Sequence, residues 1–182
     1  NARRILERVV VGTDKMNFLI KEILNYSRVG RADIEVVPID MKRLINEIKT
    51  EVIAAFKPED LQFVIGDTPA LAGDYVMIGQ VFSNLINNAV KYASHNVTVK
   101  LLPFSSEDVD FHIEVCNDGH IVPPEYKEKI FEPFFRMKET QKEAGTGIGL
   151  PLARSLALLH KGKLELKITD NEFNVFLLSI PM

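Results

Sequence analysis

The segment Gly145-Thr146-Gly147-Ile148-Gly149-Leu150 runs directly into an apolar stretch, 148–159, whose pattern predicts a helix. Unpaired N–H groups and the positive end of the helix dipole attract an anion at such a start. Glycines let the backbone approach a phosphate closely because they carry no Cβ. The segment is not a P-loop, since no Lys-Ser or Lys-Thr follows its last glycine. Taken alone, it fits either a phosphate site or a glycine-rich cap of the helix.

A second helix is predicted over about residues 75–92, with Asp74 as its N-cap. Its residues 80–92 read QVFSNLINNAVKY, and Asn84 and Asn88 share a face because they lie four apart. Asparagine is a poor helix former, so three in five positions need a reason. Amide oxygens suit a Mg²⁺ ion whose negative ligands come from a triphosphate, and Lys91 can neutralise a phosphate. The alternative is a polar outer face that happens to contain asparagines.

The rest of the pattern predicts an α+β domain. Asp40 is the expected N-cap of a helix over 41–56, and a short helix is expected near 125–130. Strands are predicted over 34–39, 61–65, 97–102, 109–116, 164–168 and 173–180, with a brief one at 70–72. Because the strands come in hairpin-like pairs, we expect a two-layer sandwich of a mixed sheet and about three helices.

Residues 1–30 are predicted to form one long amphipathic helix, since apolar residues recur at spacings of three and four. Its apolar stripe needs a partner, so it is either an ordinary core helix or half of a helical hairpin in a dimerising bundle. Residues 31–38 are interpreted as a linker and 39–182 as the main domain.

Composition excludes several classes. The 182 residues carry a net charge of −3, which gives no basic excess for a nucleic-acid surface. No apolar run approaches the ~20 residues of a membrane span, so we expect no membrane contact by this segment. The single cysteine, Cys116, cannot form an internal disulfide and is expected to be a buried apolar residue. Because the chain begins at Asn1, it is expected to be part of a longer protein.

Together these segments resemble the sensor histidine kinases of two-component systems. The stretch 84–92 resembles their N box, and 117–123, NDGHIVP, resembles their first glycine box. The stretch 130–136, IFEPFFR, resembles the F box, and 145–150 resembles the second glycine box. The four occur in the family's order. Residues 23–28, ILNYSR, resemble the end of the second helix of the dimerisation and phosphotransfer hairpin, which favours the bundle for the first helix.

The resemblance implies the histidine kinase/topoisomerase/chaperone-type ATPase fold, preceded by one long dimerisation-type helix, and a site for ATP and Mg²⁺. It implies that Asn88 ligates Mg²⁺ with Asn84 assisting, that Lys91 contacts phosphate, and that Tyr92 lies against adenine. Arg136 either reaches the phosphates or is a solvated loop arginine. The complete nucleotide-binding set implied is Asn84, Asn88, Lys91, Tyr92, Asn117, Gly119, Val122, Arg136, Gly145, Thr146, Gly147, Gly149 and Leu150.

The chain departs from the family in the first glycine box. Asn117 stands where most relatives have an Asp that accepts from the adenine amino group, although its amide still offers a carbonyl acceptor. Asp118 is a candidate substitute. Ile121 replaces the second glycine, which puts the loop backbone in question because Ile disfavours positive φ. This variant is associated with hybrid sensor kinases. The stretch 137–144 resembles the mobile lid over ATP.

Two absences refine the expected activity. ATP-hydrolysing relatives carry a Glu general base where this chain has Asn84, so efficient hydrolysis is not expected. None of the four histidines, His95, His112, His120 and His160, lies in the family's phosphoacceptor pattern, and all are interpreted as structural or exposed.

The resemblance therefore implies a catalytic ATP-binding domain whose γ-phosphate passes to a histidine outside this chain and then to a response-regulator aspartate. The implied partners are a second copy through the first helix and a receiver domain, in a cytoplasmic module of a membrane-anchored sensor. Two alternatives are a degenerate dimerisation or signal-relay module, and a serine kinase of the anti-sigma type, against which the first helix argues.

Overall fold

The computed structural model describes residues 34–68, 70–101, 110–140, 145–167 and 172–181, together with Thr13 and Ile20, which are both helical. The predicted helix over 1–30 otherwise lies outside the described residues. So do the start of the predicted linker and residues 141–144 of the predicted lid. Within the described ranges, no helix is both long and apolar enough to cross a membrane.

Two of the predicted helices begin at the expected caps. Helix α1 spans Met41–Phe56, and Asp40 Oδ1 accepts a hydrogen bond from Arg43 N–H at 3.0 Å. Helix α2 spans Tyr75–Tyr92, and Asp74 Oδ1 accepts from the first N–H groups of that helix. Helix α3 spans Gly149–Leu159 and has no capping side chain at its N-cap. Asp40 and Asp74 therefore accept from N–H groups that have no hydrogen-bond partner within α1 and α2.

The main sheet has five strands: β2 over Gln62–Ile65, β4 over Asn96–Leu101, β5 over Asp110–Asn117, β6 over Lys163–Lys167 and β7 over Asn174–Pro181. Across the sheet, these strands lie in the order β2-β4-β5-β7-β6. Strands β2 and β4 are parallel, and the other neighbours are antiparallel. The predicted mixed sheet is therefore confirmed, with strand ends shifted by at most one residue.

Two local predictions were wrong in detail. The strand expected over 34–39 is confined to β1, Val37–Asp40, which pairs antiparallel with β3, Ala70–Gly73. The short helix expected near 125–130 is instead two 3-10 turns, Pro124–Tyr126 and Lys129–Phe131. In a segment this short, too few hydrogen bonds follow the first turn to offset the free energy of α-helix nucleation. A 3-10 turn forms its i→i+3 hydrogen bond with fewer ordered residues.

The core lies between one face of the main sheet and the helices. Helix α2 lies at its centre and packs against α1, α3 and β5. Phe82, Leu85 and Ile86 of α2 are fully buried, as are Val99 and Ile113 of the sheet. Burial of each such side chain contributes about 1.5–3 kcal/mol relative to exposure. Their packing fixes the rotation of α2 and leaves its asparagine face at the edge of the core.

The C-terminal end of α2 is tied to the first glycine box by Asp118. Its Oδ1 accepts from the backbone N–H groups of Ser94, His95 and Asn96, each at 2.9 Å. Its Oδ2 accepts from Asn96 Nδ2 at 2.7 Å. Burial opposes ionisation, but these donors outweigh it and hold the pKa of Asp118 at about 2. Both carboxylate oxygens of Asp118 are therefore occupied by donors of the segment 94–96.

Gly119 allows the same junction to close. A Cβ added at Gly119 would lie 1.6 Å from the carbonyl oxygen of Tyr92, the last residue of α2. Only a glycine permits this approach of two backbone segments. Gly119 is accordingly a packing residue behind the site rather than part of its surface.

We expect Asp118→Asn to lower the free energy of unfolding by about 1–2 kcal/mol at pH 7, since an amide replaces a charged acceptor of several N–H groups. The folded pKa of about 2 lies below the unfolded value, so the carboxylate stabilises the fold above about pH 4. This contribution is lost as the pH falls towards 2. The difference in urea unfolding between the wild type and the variant should therefore be full at pH 7, shrink below about pH 4 and largely vanish only below about pH 2. Asp67→Asn, at an exposed carboxylate, is the control, and an equal effect there would contradict the prediction.

We expect opposite effects from one substitution at two glycines. Gly79→Ala in α2 should raise the free energy of unfolding by about 0.5–1 kcal/mol, because alanine favours helix and its Cβ meets Leu44 Cδ1 at an ordinary 3.6 Å. Gly119→Ala should lower it by about 2 kcal/mol or more, because the added methyl overlaps Tyr92. Chemical denaturation measures both. A stable Gly119→Ala protein would exclude the close junction described above.

Candidate functional site

A cavity of about 500 Å³ opens between α2, α3 and the segments 117–122 and 130–140. That volume is within the range of small-molecule sites. All the predicted site residues except Gly119 line it: Asn84, Asn88, Lys91, Tyr92, Asn117, Val122, Arg136, Gly145, Thr146, Gly147, Gly149 and Leu150. The four sequence segments therefore converge on one site, as their combination predicts.

One end of the cavity is built by the glycine segment and the F box. Gly147 has a φ of 76°, and a Cβ there would lie 2.8 Å from backbone atoms of Phe134 and Phe135. Phe134 N–H donates to the carbonyl of Gly147 at 2.9 Å. Thr146 Oγ1 accepts from Ile148 N–H at 3.2 Å, just before α3 begins. The glycine at 147 is thus required twice, by its positive φ and by the close approach.

The start of α3 lies against the asparagine face of α2. A Cβ on Gly149 would meet Asn84 Oδ1 at 3.4 Å, and one on Gly145 would meet Lys91 Nζ at 3.1 Å. Gly149 and Leu150, the first helical residues of α3, also line the cavity. The positive end of the α3 dipole, the ammonium group and the amides therefore share one end of the cavity.

The side-chain amide of Asn84 makes fewer hydrogen bonds than it can. Its Oδ1 accepts from Gln80 Nε2 at 3.3 Å. Its Nδ2 is buried and has no hydrogen-bond partner within the described part of the chain. Such a donor costs about 1–3 kcal/mol when left unsatisfied, so it is a place where an acceptor on a ligand would stabilise the protein.

The charges around the cavity favour an anion. Lys91 and Arg136 line it, and among its described lining residues there is no Asp or Glu, although the chain has a net charge of −3. Lys91 Nζ donates to Tyr92 Oη at 2.7 Å and lies 4.4 Å from the centre of that ring. Arg136 Nη2 donates to the carbonyl of Thr140 at 2.7 Å. A concave site with cations and no carboxylate concentrates positive potential.

The opposite end is apolar and contains two buried amides, Asn117 and Asn174. Asn174 was not predicted from the sequence. Its Nδ2 donates to His120 O and its Oδ1 accepts from Val122 N–H, each at 2.9 Å. These bonds hold the loop that contains Ile121, whose φ is not positive. The replacement of the second glycine is therefore accommodated, because a side chain from β7 fixes the loop.

The remaining lining residues were also missed by sequence reasoning: Phe56, Gln80, Ser83, Asn87, His120, Ile130, Phe135, Met137, Thr140, Pro151 and Phe176. Several of these lie within the recognised segments and carry no chemistry of their own. Asn87, the third asparagine of α2, donates to Ser83 O of its own helix at 2.7 Å. The sequence gives one indication of the role of Asn174, since it is the only amide in the apolar run 174–180.

The histidines and the cysteine fit their predicted minor roles. His160 joins two helices, since Nε2 accepts from Asp74 N–H at 3.1 Å and Nδ1 contacts Leu156 O at 2.8 Å. His112 contacts Ser179 Oγ at 2.9 Å, while His95 and His120 are exposed. Burial raises the pKa of Cys116 to about 11, so it is not a thiolate near neutral pH. In the described ranges, no cluster of three His, Cys, Asp or Glu residues could hold a metal without a ligand's help.

Known proteins share this architecture. Residues 73–182 match the family model described as "Histidine kinase-, DNA gyrase B-, and HSP90-like ATPase". The adaptive-response sensory kinase SasA of Rippkaea orientalis is 32% identical over 174 residues, which cover 92% of this chain and 44% of that protein. The chain thus spans less than half the length of this curated relative.

Solved structures agree. The catalytic domain of histidine kinase ThkA is 28% identical with a TM-score of 0.67, covering 81% of this chain and 95% of that one. ThkA in complex with the response regulator protein TrrA is 24% identical with a TM-score of 0.73, covering 95% and 49%, and shows a likeness of fold. The predicted fold and the resemblance to sensor histidine kinases are confirmed. With more than half of its residues matched by the family model, the chain belongs to the histidine kinase-, DNA gyrase B- and HSP90-like ATPase family.

Proposed function

We propose that this chain binds Mg-ATP and, as part of a longer sensor kinase, presents the γ-phosphate to a histidine. The observation that carries the proposal is the charge of the cavity. Two cations, a helix N-terminus and several amides line one space, with no carboxylate among its described lining residues. Of the common cell metabolites, a nucleoside triphosphate combines the flat apolar group and the concentrated negative charge that the two ends of this cavity require.

The phosphates would lie at the glycine end. Backbone N–H groups of 145–150 and the cations Lys91 and Arg136 would bind their oxygens. The buried Nδ2 of Asn84 lacks an acceptor, so a phosphate oxygen would satisfy it better than a metal ion would. We assign the Mg²⁺ contact to the side-chain oxygen of Asn88, which lines the cavity. When bound, Mg²⁺ neutralises phosphate charge during transfer.

The base would lie at the apolar end. Tyr92, Val122 and Phe176 line that end and offer apolar surface to a flat ring. Asn117 is the buried polar group beside them, with 3% of its surface exposed. Adenine combines two apolar faces with a polar edge, which matches this composition.

A phosphoryl acceptor other than water is favoured by the same lining. Activation of water needs a general base, and the described lining has no carboxylate to serve as one. We therefore propose that a histidine from a partner segment is the acceptor, and that the phosphoryl group then passes to an aspartate of a receiver domain. The sensory-kinase names of the curated relatives support this role. Dimerisation through residues 1–30 and a location on the cytoplasmic side, where ATP is available, are parts of the same proposal.

Asn88→Ala should weaken Mg-ATP binding by about tenfold or more, because the substitution removes the proposed metal ligand. Isothermal calorimetry with Mg²⁺ present measures the dissociation constant, and thermal unfolding verifies the fold. Asn46→Ala is the matched control, since Asn46 lies on α1 and donates to Lys42 O outside the cavity. Unchanged affinity in the Asn88 variant would exclude this assignment, and no Mg-ATP binding by the wild type would exclude the proposed function itself.

We expect the purified chain to bind ATP without consuming it. With γ-labelled ATP, neither free phosphate nor label on the chain should accumulate above the protein-free rate, because the described lining has no carboxylate to serve as general base and none of the four histidines has the expected acceptor context. Phosphate release and radiolabel on the protein measure the two reactions. Release at several turnovers per minute would contradict the proposed preference for histidine over water.

A further inference from the structure

Asn117 and Asn174 lie opposite each other on β5 and β7, where the sheet forms the apolar end of the cavity. Both are almost completely buried, with 3% and 5% of their surface exposed. Asn174 is fixed in one orientation because its nitrogen and its oxygen each make a hydrogen bond of 2.9 Å. Asn117 differs, since its buried Nδ2 has no hydrogen-bond partner among the residues that the structure describes.

An unpartnered buried amide is both costly and adaptable. The unsatisfied donor costs about 1–3 kcal/mol, and rotation of the amide towards a ligand acceptor would recover this free energy. Rotation of the Asn117 amide by 180° exchanges its donor and acceptor, and this rotation breaks no hydrogen bond of Nδ2. The side chain can therefore present either group to a ligand, as Asn174 cannot.

The edge of the purine six-membered ring that carries position 6 and N1 pairs with one of these two amide orientations. Adenine has an amino donor at position 6 beside an acceptor at N1, whereas a 6-oxopurine has an acceptor at position 6 beside an N1–H donor. A carboxamide complements the first edge in one orientation and the second edge in the other, because it holds one acceptor and two donors. A carboxylate accepts only, so it cannot donate to a 6-oxo group.

Among the lining residues that the structure describes, no carboxylate restores a preference for a 6-amino group. Asp118, the adjacent carboxylate, accepts from Ser94, His95 and Asn96 and does not line the cavity. Tyr92 and Phe176 contribute ring surface, which contacts either purine equally. The selection between a 6-amino and a 6-oxo group therefore depends on Asn117.

We propose that Asn117 makes this site accept 6-oxopurine nucleoside triphosphates as well as ATP, so that it selects a purine by shape rather than by its 6-substituent. The proposal rests on the proposed nucleotide-binding function and names the substrate class of the same site.

Inosine triphosphate is the direct probe, since it differs from ATP only along this edge. Calorimetry of the wild-type chain with each Mg-nucleotide should give dissociation constants within about threefold of each other. Binding of Mg-ATP with Mg-ITP about 30-fold weaker or worse would overturn the inference and leave the proposed function intact. Absence of binding by both nucleotides would overturn the two together.

Asn117→Asp tests the cause. The variant should shift the ratio of the two affinities by about tenfold or more in favour of Mg-ATP, because a carboxylate accepts from a 6-amino group and repels a 6-oxo group. Asn46→Asp adds the same charge outside the cavity and should leave the ratio of the two affinities unchanged. An unchanged ratio in a folded Asn117→Asp protein would overturn the role of Asn117. The wild-type comparison decides the substrate class even if the variant does not fold.

Discussion

The rotation of α2 about its own axis is the constraint on which the site depends. Phe82, Leu85 and Ile86 are fully buried against the sheet, so the positions between them must emerge on the other side. Asn84 and Asn88 lie on that other side and line the cavity, and Asn84 lies beside Gly149 at the start of α3. Because each residue of a helix advances by about 100°, a slip of one position would turn these amides into the core. Hydrophobic packing of one face thus positions the chemistry of the other.

The two ends of α2 are secured by different interactions. At its start, Asp74 caps the helix, and Asp74 N–H also donates to His160, which closes α3. The N–H of Met77, opposed by burial and helped by other N–H groups, lowers the pKa of Asp74 below its ordinary value. At its end, Asp118 and Gly119 bring the first glycine box onto Tyr92. The helices and the loops of the site therefore form one connected unit around α2.

The wall formed by the F box and the glycine segment depends on a strained contact. Phe134 has a φ of 67°, and this left-handed backbone conformation costs about 1–2 kcal/mol for a residue with a side chain. Its side chain is also 60% exposed. Its N–H bond to Gly147 O and the absence of a side chain at Gly147 make this conformation accessible. The two segments are 13 residues apart in the sequence, yet they hold each other in place.

Local signals predicted the elements well, and tertiary contacts account for what they missed. Asp40 and Asp74 identify helix starts because a cap acts within three residues. Asn174 was missed because it holds a loop that lies 52 residues earlier in the chain, and no spacing rule reaches that far. Gly119 was predicted as part of the nucleotide site; the structure shows a close backbone contact with Tyr92, which lies 27 residues earlier, and Gly119 does not line the cavity. The site residues were predicted through the resemblance of four segments, whereas their individual patterns left the alternatives open.

The most informative departures from the family are two amides, Asn84 and Asn117. By the resemblance, hydrolysing relatives carry a carboxylate at the position of Asn84, and most sensor kinases carry one at the position of Asn117. Asn117 keeps the shape of an aspartate and one acceptor, whereas Asn84 is one methylene shorter than a glutamate, and each amide removes a negative charge. Under the proposed function, the first change removes the group that would activate water, and the second removes the acceptor-only partner of the base. Both changes make the cavity more positive, which would favour binding of a polyanionic nucleotide over its hydrolysis and over discrimination between purine bases.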